Sequence, residues 1–393
     1  MAMKRVVVGL SGGVDSSVAA YLLKQQGYEV IAVFMINWHD KTGTLEGDCP
    51  WKDDLVFAQL VARKLDIPFH SADLSKVYKK RVVDYMFHEY ENGRTPNPDV
   101  LCNREIKFDE FFKVAEKYKA DLVATGHYCR KESFQKDGKT IYRLLAGLDP
   151  NKEQSYFLCQ LDQGQLSKIL FPIGDLPKEK VREIAGELNL PTADKKDSQG
   201  ICFIGKVDLP TFLQQRLEPK KGDVIEIPRR FSGYLTFDPA STDPEYLARP
   251  WKYQPGDGII IGTHKGAHFY TVGQRKGLNI GGKKEPLFII GTDTQRNIIY
   301  TGEGKNHPGL YRKGLAISAG DIHWVRPDLA LNPGESEAFH IRIRYRQPLQ
   351  KGTLHMAEKN LYIIFDKPQR GITPGQFAAW YKEDEVVGSG TIV

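Results

Sequence analysis

GLSGGVDSSV, Gly9 to Val18, decides the fold of the first part of this chain. It follows Arg5–Gly9, an apolar run that reads as a strand, and opens Ser16–Gln26, which reads as a helix. A glycine turn between strand and helix aims backbone N–H groups and a helix N-terminus at one point, which suits pyrophosphate. Gly12 and Gly13 let the backbone approach an oxyanion, Ser11, Ser16 and Ser17 add hydroxyl donors, and Asp15 can bind magnesium or orient the loop. A GG pair alone would be no more than a turn. Here strand, glycines, hydroxyls and helix coincide, and neither GxxxxGKS/T nor GxGxxG occurs in the chain to compete.

Working outward, strand candidates Glu29–Phe34, Ile67–His70 and Asp121–Ala124 alternate with helix candidates Asp53–Lys64, Lys76–Tyr90 and Phe108–Tyr118. That alternation predicts an α/β domain with a parallel sheet. In the first helix Val18 with Leu22 and Ala19 with Leu23 stack at i, i+4 as one apolar stripe. A last helical stretch near Lys178–Leu188 precedes KKDSQGICFIG, and the domain is expected to close near Lys206. From Lys221 onward glycine, proline and β-formers dominate, with short strands such as Gly258–Gly262 and Leu287–Thr292. The expectation is three domains: 1–206 carrying the phosphate loop, a small mostly-β unit over 207–284, and a β-barrel-like unit over 285–393.

At 393 residues, 41% hydrophobic and 26% charged, the composition is that of a globular chain too long for one core. No stretch approaches the roughly 18 apolar residues of a membrane span, and MAMKRVVVGL carries no secretory h-region. A cytoplasmic location is expected. Five scattered cysteines, Cys49, Cys102, Cys129, Cys159 and Cys202, form no CxxC pair or disulfide framework. The net charge of +6 leans only slightly toward an anionic partner.

TPNPDVLCNREIKF, Thr95 to Phe108, is a proline-stiffened loop that sets Asp99 three residues before Cys102. Arg104, Lys107 and the following helix would lower the thiol pKa from about 8.5, although a buried cysteine in a tight turn is an equal alternative. Cys202, between Ile201 and Phe203, reads by local composition as a small hydrophobe in a buried strand. HIRIRYRQP, His340 to Pro348, alternates so that a strand would place His340, Arg342, Arg344 and Arg346 on one face and Ile341, Ile343 and Tyr345 on the other. Such a face suits successive phosphates or plain solvent equally. Gln274, Arg275 and Lys276 make a second, smaller basic cluster.

SGGVDS resembles the loop of the PP-loop ATP pyrophosphatase superfamily. From end to end, through FMINW, GRTPNPDVLCNREIKF, ATGHY, LLAGLDPNKEQSYFL, DSQGICFIG, HFYTVGQRKGL and RYRQP, the chain resembles the tRNA-specific 2-thiouridylase family. The resemblance implies adenylation of a uridine C2 oxygen by ATP and its replacement by sulfur, with Cys102 as nucleophile, Cys202 as persulfide carrier and Asp99 as general acid or base. It implies that Asn97, Pro98 and Asp99 face the target base. ATP would contact Gly9, Leu10, Ser11, Gly12, Gly13, Val14, Asp15, Ser16, Met35 and Gly126, and tRNA would contact His127, Lys152, Glu153, Gln154, Arg344, Tyr345 and Gln376. The implied partners are magnesium with ATP, a tRNA bearing a wobble uridine and an upstream persulfide donor, acting on a monomer. Two features depart from the family: Arg229–Tyr253 looks like an insertion, and Asn279 stands where glycine is usual. The rival readings are a PP-loop ligase or amidotransferase for a small molecule, and an RNA-binding protein with a degenerate nucleotide domain.

Overall fold

A computed structural model of the protein describes residues 3–39, 51–197 and 209–393. The first part contributes strands β1 (Arg5–Gly9), β2 (Glu29–Ile36), β3 (Phe69–Asp73), β4 (Leu122–Ala124), β5 (Cys129–Lys136), β6 (Lys139–Ala146) and the two-residue β7 (Ile169–Leu170). Five of them form a parallel sheet in the order β3-β2-β1-β4-β7. Val6, Val7 and Val8 are fully buried, as a strand covered by helices on both faces requires. The first helix, Val14–Gln25, packs Val18, Ala19 and Leu23 inward, the stripe its periodicity predicts. Strand order reverses between β1 and β4. Ligands of such sheets bind in the crevice at that reversal, beyond the C-terminal strand ends.

Two expected helices are interrupted. Lys76–Tyr90 is in fact Ser75–Tyr78 and Asp84–Glu91 joined through a wide π-type turn at Lys79–Val83. The helix expected at Phe108–Tyr118 begins at Phe111, after a π-type segment Cys102–Glu110 in which Phe108 leaves helical geometry (φ −124°, ψ 17°). Segments of this kind recur at functional sites.

The middle sheet is built from β8 (Gly222–Glu226), β9 (Ile259–His264), β10 (Leu287–Asp293) and β11 (Ile298–Glu303) in the order β10-β11-β8-β9. It runs past Glu285, where the sequence suggested a change of domain. Next come β12 (Tyr311–Trp324), β13 (Ser336–Arg342), β14 (Gln350–Met356), β15 (Asn360–Arg370), β16 (Phe377–Lys382) and β17 (Glu385–Ile392). They follow one another as β12-β15-β14-β13-β16-β17, and β12 pairs again with β17, closing a barrel. The β5–β6 hairpin attaches to β17 through Leu145 opposite Glu385, so the first part of the chain extends the barrel sheet.

Arg229–Tyr253 adds two short helices, Ser232–Leu235 and Pro244–Ala248. It is pinned to β12 by Trp251 Nε1 donating to Tyr311 O (2.9 Å) and Arg312 Nη2 donating to Ala248 O (2.6 Å). Asn279 has φ +53°, a left-handed conformation that favours glycine and that asparagine tolerates better than most residues. Among the described residues no helix is long and apolar enough to cross a membrane.

Candidate active site

β1 ends in Gly9, where an added Cβ would lie 3.2 Å from Met35 Cε and 3.5 Å from Phe111 Cε1. Leu10 N donates to Val33 O (3.0 Å), which keeps the loop on the sheet edge. Gly12 has φ +73°, and a Cβ there would lie 2.1 Å from the carbonyl oxygen of Asp54. Ser11 N donates to Ser16 Oγ (3.1 Å), while Ser16 Oγ and Ser17 Oγ donate to Gly13 O at 3.1 and 2.8 Å. These two hydroxyls therefore shape the loop from inside. Gly126, just past β4, would place a Cβ 2.7 Å from Ser16 N, so the two walls of the crevice touch through backbone. Val14 begins the helix with no side-chain cap from Gly13, leaving first-turn N–H donors for an anion.

Asp15 projects from that first turn but is already engaged. It accepts from Tyr128 OH (2.7 Å) and from Lys178 Nζ (2.7 and 2.9 Å). Lys178, only 8% exposed, also reaches Asp197 at 2.8 Å, and Lys152 and Arg182 bind that same carboxylate. Burial alone would raise the Asp197 pKa, but its hydrogen bonds from Lys152 and Lys178 and their charges hold it at about 2. Lys195 Nζ donates to Gly12 O (2.9 Å) and pairs with Asp54, tying the loop to the helix Trp51–Lys64. Sequence reasoning missed Lys178, Asp197 and Lys195. In DLPKEKVREIA and KKDSQG they look like solvated surface charges, and only the fold brings them under the loop.

The Thr95–Phe108 segment is anchored at its start from two other parts of the chain. Thr95 N donates to Pro374 O (2.8 Å), Thr95 Oγ1 lies 3.0 Å from Thr271 Oγ1, and Gln376 Nε2 donates to the carbonyls of Thr95 (2.8 Å) and Pro96 (3.0 Å). Loops of the middle unit and of the barrel unit thus meet the first part of the chain at Thr95. Asn97 Oδ1 accepts from Val100 N (3.2 Å) as an N-cap with Pro98 at the first helical position, and the half-buried Asp99 follows. Cys102 is fully buried in the cluster that also contains Met35, Phe108 and Phe111. Of the two environments its sequence allows, the fold builds the buried one, and Arg104 is bonded to Glu105 Oε1 (2.7 Å) and Gln160 Oε1 (2.8 Å). Through Phe111 the Cys102 segment nevertheless leans directly on Gly9 of the loop. Cys202 and Cys49 lie outside the described residues. Cys129 and Cys159 are buried, and burial pushes the Cys159 thiol up to about 12.

The positions matched to tRNA contacts differ in their surroundings. His127 is 7% exposed, bonded to Thr125 Oγ1 (2.7 Å) and faced by the rings of Phe108 and Phe171. Burial, helped by the charge of Lys107, moves its pKa well below the ordinary value. Glu153 is buried against Arg342 (2.5 Å), and Gln154 Oε1 accepts from Tyr128 N (3.0 Å). The alternation from His340 stops at Arg342. Ile343 N turns to Gln347 Oε1 (2.9 Å) and Arg346 adopts φ +63°, so Arg344 to Arg346 form a turn rather than a strand face. In it Arg344 donates to Gly371 O, and Tyr345 lies over the Phe157 ring at 4.3 Å.

Family models match in three places: the tRNA methyl transferase HUP domain over residues 4–206, the tRNA methyl transferase PRC-barrel domain over 253–303, and the aminomethyltransferase beta-barrel domain over 315–392. Among similar proteins, the tRNA-specific 2-thiouridylase MnmA of Christiangramia forsetii is 61% identical, covering 99% of this chain and 100% of its own. That of Flavobacterium johnsoniae is 60% identical with the same coverage. That of Bacillus subtilis is 44% identical over 99% of this chain and 94% of its own. The chain belongs to the tRNA-specific 2-thiouridylase family.

Proposed function

We propose that this protein replaces the C2 oxygen of a tRNA wobble uridine with sulfur, consuming ATP and releasing AMP and pyrophosphate. The observation that carries the reading is the uncapped helix start at the β1/β4 reversal, packed through Gly9 and Phe111 against the segment that bears Cys102. The uridine O2 attacks the α-phosphorus of ATP, pyrophosphate departs toward the loop, and the adenylated carbon becomes open to a sulfur nucleophile. Gly9, Leu10, Ser11, Gly12, Gly13, Val14, Asp15, Ser16, Met35 and Gly126 line that side, and Asn97, Pro98 and Asp99 face the base. Magnesium would arrive with ATP as its counter-ion, while Asp15 is engaged by Lys178 and Tyr128.

A persulfide on Cys202, loaded by an upstream donor, supplies the sulfur. Its terminal sulfur displaces AMP, and the Cys102 thiolate then attacks Cys202 Sγ, leaving the thiocarbonyl sulfur on the base and a Cys102–Cys202 disulfide. Alternatively Cys102 first frees hydrosulfide, which displaces AMP; the same disulfide remains. Because Cys102 is buried, either route requires the Pro98–Glu110 segment to shift when substrate arrives. We place the reaction in the cytoplasm and assign it to a monomer. The test is AMP formation with unmodified tRNA beside persulfide-dependent thiolation in Cys102→Ala and Cys202→Ala. Both variants should bind tRNA and fail to thiolate; full turnover by either removes that cysteine from the mechanism, and AMP formation without tRNA would favour a small-molecule ligase.

A further inference from the structure

At the seam between the middle sheet and the barrel, two arginines are brought into one neighbourhood without an acid, Arg344 bonding the residue that follows Arg370. Arg370 closes β15 opposite Tyr311 of β12, and its Nε and Nη2 are buried with no hydrogen-bond acceptor. Its guanidinium lies 4.6 Å from the centre of the Phe288 ring. The next residue, Gly371, accepts a hydrogen bond from Arg344 Nη2. Among the described residues neither arginine has a carboxylate within ion-pair reach, whereas Arg342 has Glu153 and Arg326 has Glu385. Desolvation, and after it the charge of Arg370, weaken the hold of Arg344 on its proton. On the third side the turn of the middle sheet closes in. A Cβ on Gly273 would lie 3.6 Å from Arg344 Nη2, and exposed Arg275 and Lys276 follow it.

Adjacent, partly desolvated like charges are costly unless an anion sits between them, and a guanidinium with idle N–H groups is a fork for phosphate oxygens. We propose that Arg344 and Arg370 jointly seat one backbone phosphate of the tRNA, with the Arg275–Lys276 turn beside it. This rests on the tRNA reading above and adds a residue, Arg370, that no sequence motif marks. The seat also joins two units, since its parts come from the barrel and from the middle sheet.

The test is tRNA affinity across a salt series for the wild type, Arg344→Ala, Arg370→Met and the double variant. Each single variant should bind about tenfold more weakly. Each should also flatten the slope of log K against log salt by roughly 0.7 to 0.9. The double variant should lose little more than the weaker single one, because both groups hold the same phosphate. Additive losses, or an unchanged slope and affinity in Arg370→Met, would overturn the shared seat and leave Arg370 as a brace on Phe288. Should Arg370→Met not fold, Arg370→Lys decides: a point charge keeps the slope but loses part of the affinity, and undiminished affinity contradicts a fork. If inorganic phosphate alone stabilises the wild type against heat while tRNA affinity ignores the substitution, the seat holds a free anion and the tRNA assignment falls. A wild type that binds no tRNA at all would sink the functional reading itself; insensitive variants sink only the seat.

Discussion

Gly12→Ala isolates what the loop demands of its backbone. Gly12 has φ +73°, and its missing Cβ leaves room for the Asp54 carbonyl, which an alanine would meet at 2.1 Å. Gly27 has a similar φ of +83° with nothing within 4 Å of its would-be Cβ. Gly27→Ala therefore measures the left-handed backbone penalty alone, about 1 to 2 kcal/mol. Gly12→Ala carries that penalty plus overpacking against the backbone of the helix Trp51–Lys64, a further 1 to 3 kcal/mol or about 2 to 5 in all. Relief can come only by moving the loop, which breaks the Lys195 Nζ contact to Gly12 O and displaces the helix start that would receive phosphate. Urea unfolding of the two variants gives the stability difference, and tRNA-dependent AMP formation gives the functional one. Gly27→Ala should retain activity while Gly12→Ala loses it. Equal stabilities, or an active Gly12→Ala, would refute the claim that Asp54 closes on this glycine.

The Cys102 thiol should react with a maleimide far more slowly in the native protein than after unfolding, and faster once tRNA and ATP are both present; immediate native labelling contradicts its burial. His127 should stay neutral by NMR down to pH values well under the ordinary 6.5, because burial excludes the charged ring. Its folded pKa lies below the unfolded one, so the unfolded chain takes the proton first. Its share of stability is present above pH 6.5 and is lost as pH falls toward the folded value, and a titration midpoint near 6.5 would oppose this. Arg342→Met strands the Glu153 carboxylate, 7% exposed, and should cost about 3 to 5 kcal/mol in urea unfolding while leaving the tRNA salt slope unchanged.

The phosphate loop was legible because its chemistry is local: glycines, hydroxyls and a strand-to-helix turn lie within ten residues, and backbone geometry follows from residue type. The parallel sheet and the β-rich remainder were legible for the same reason, through apolar period and turn residues. Asp15 was not, because its partners Tyr128 and Lys178 lie 113 and 163 residues away and reach it only through the fold. The basic strand failed differently. Its alternation continues to Arg346, yet the Gln347 side chain captures the Ile343 N–H, and a local side-chain hydrogen bond outcompetes the ladder. For Cys102 the local sequence left burial and activation as equal alternatives; the fold encloses the residue in the cluster with Met35, Phe108 and Phe111, long-range packing that no local pattern announces.

The most direct test of the central claim is nucleoside mass spectrometry of unmodified tRNA after incubation with the protein, ATP, magnesium and a sulfur source. The account predicts a sulfur-for-oxygen mass shift at one uridine, dependent on ATP and lost in Cys102→Ala when a persulfide donor supplies the sulfur. Unchanged uridine, with ATP cleaved onto a small molecule instead, would contradict it.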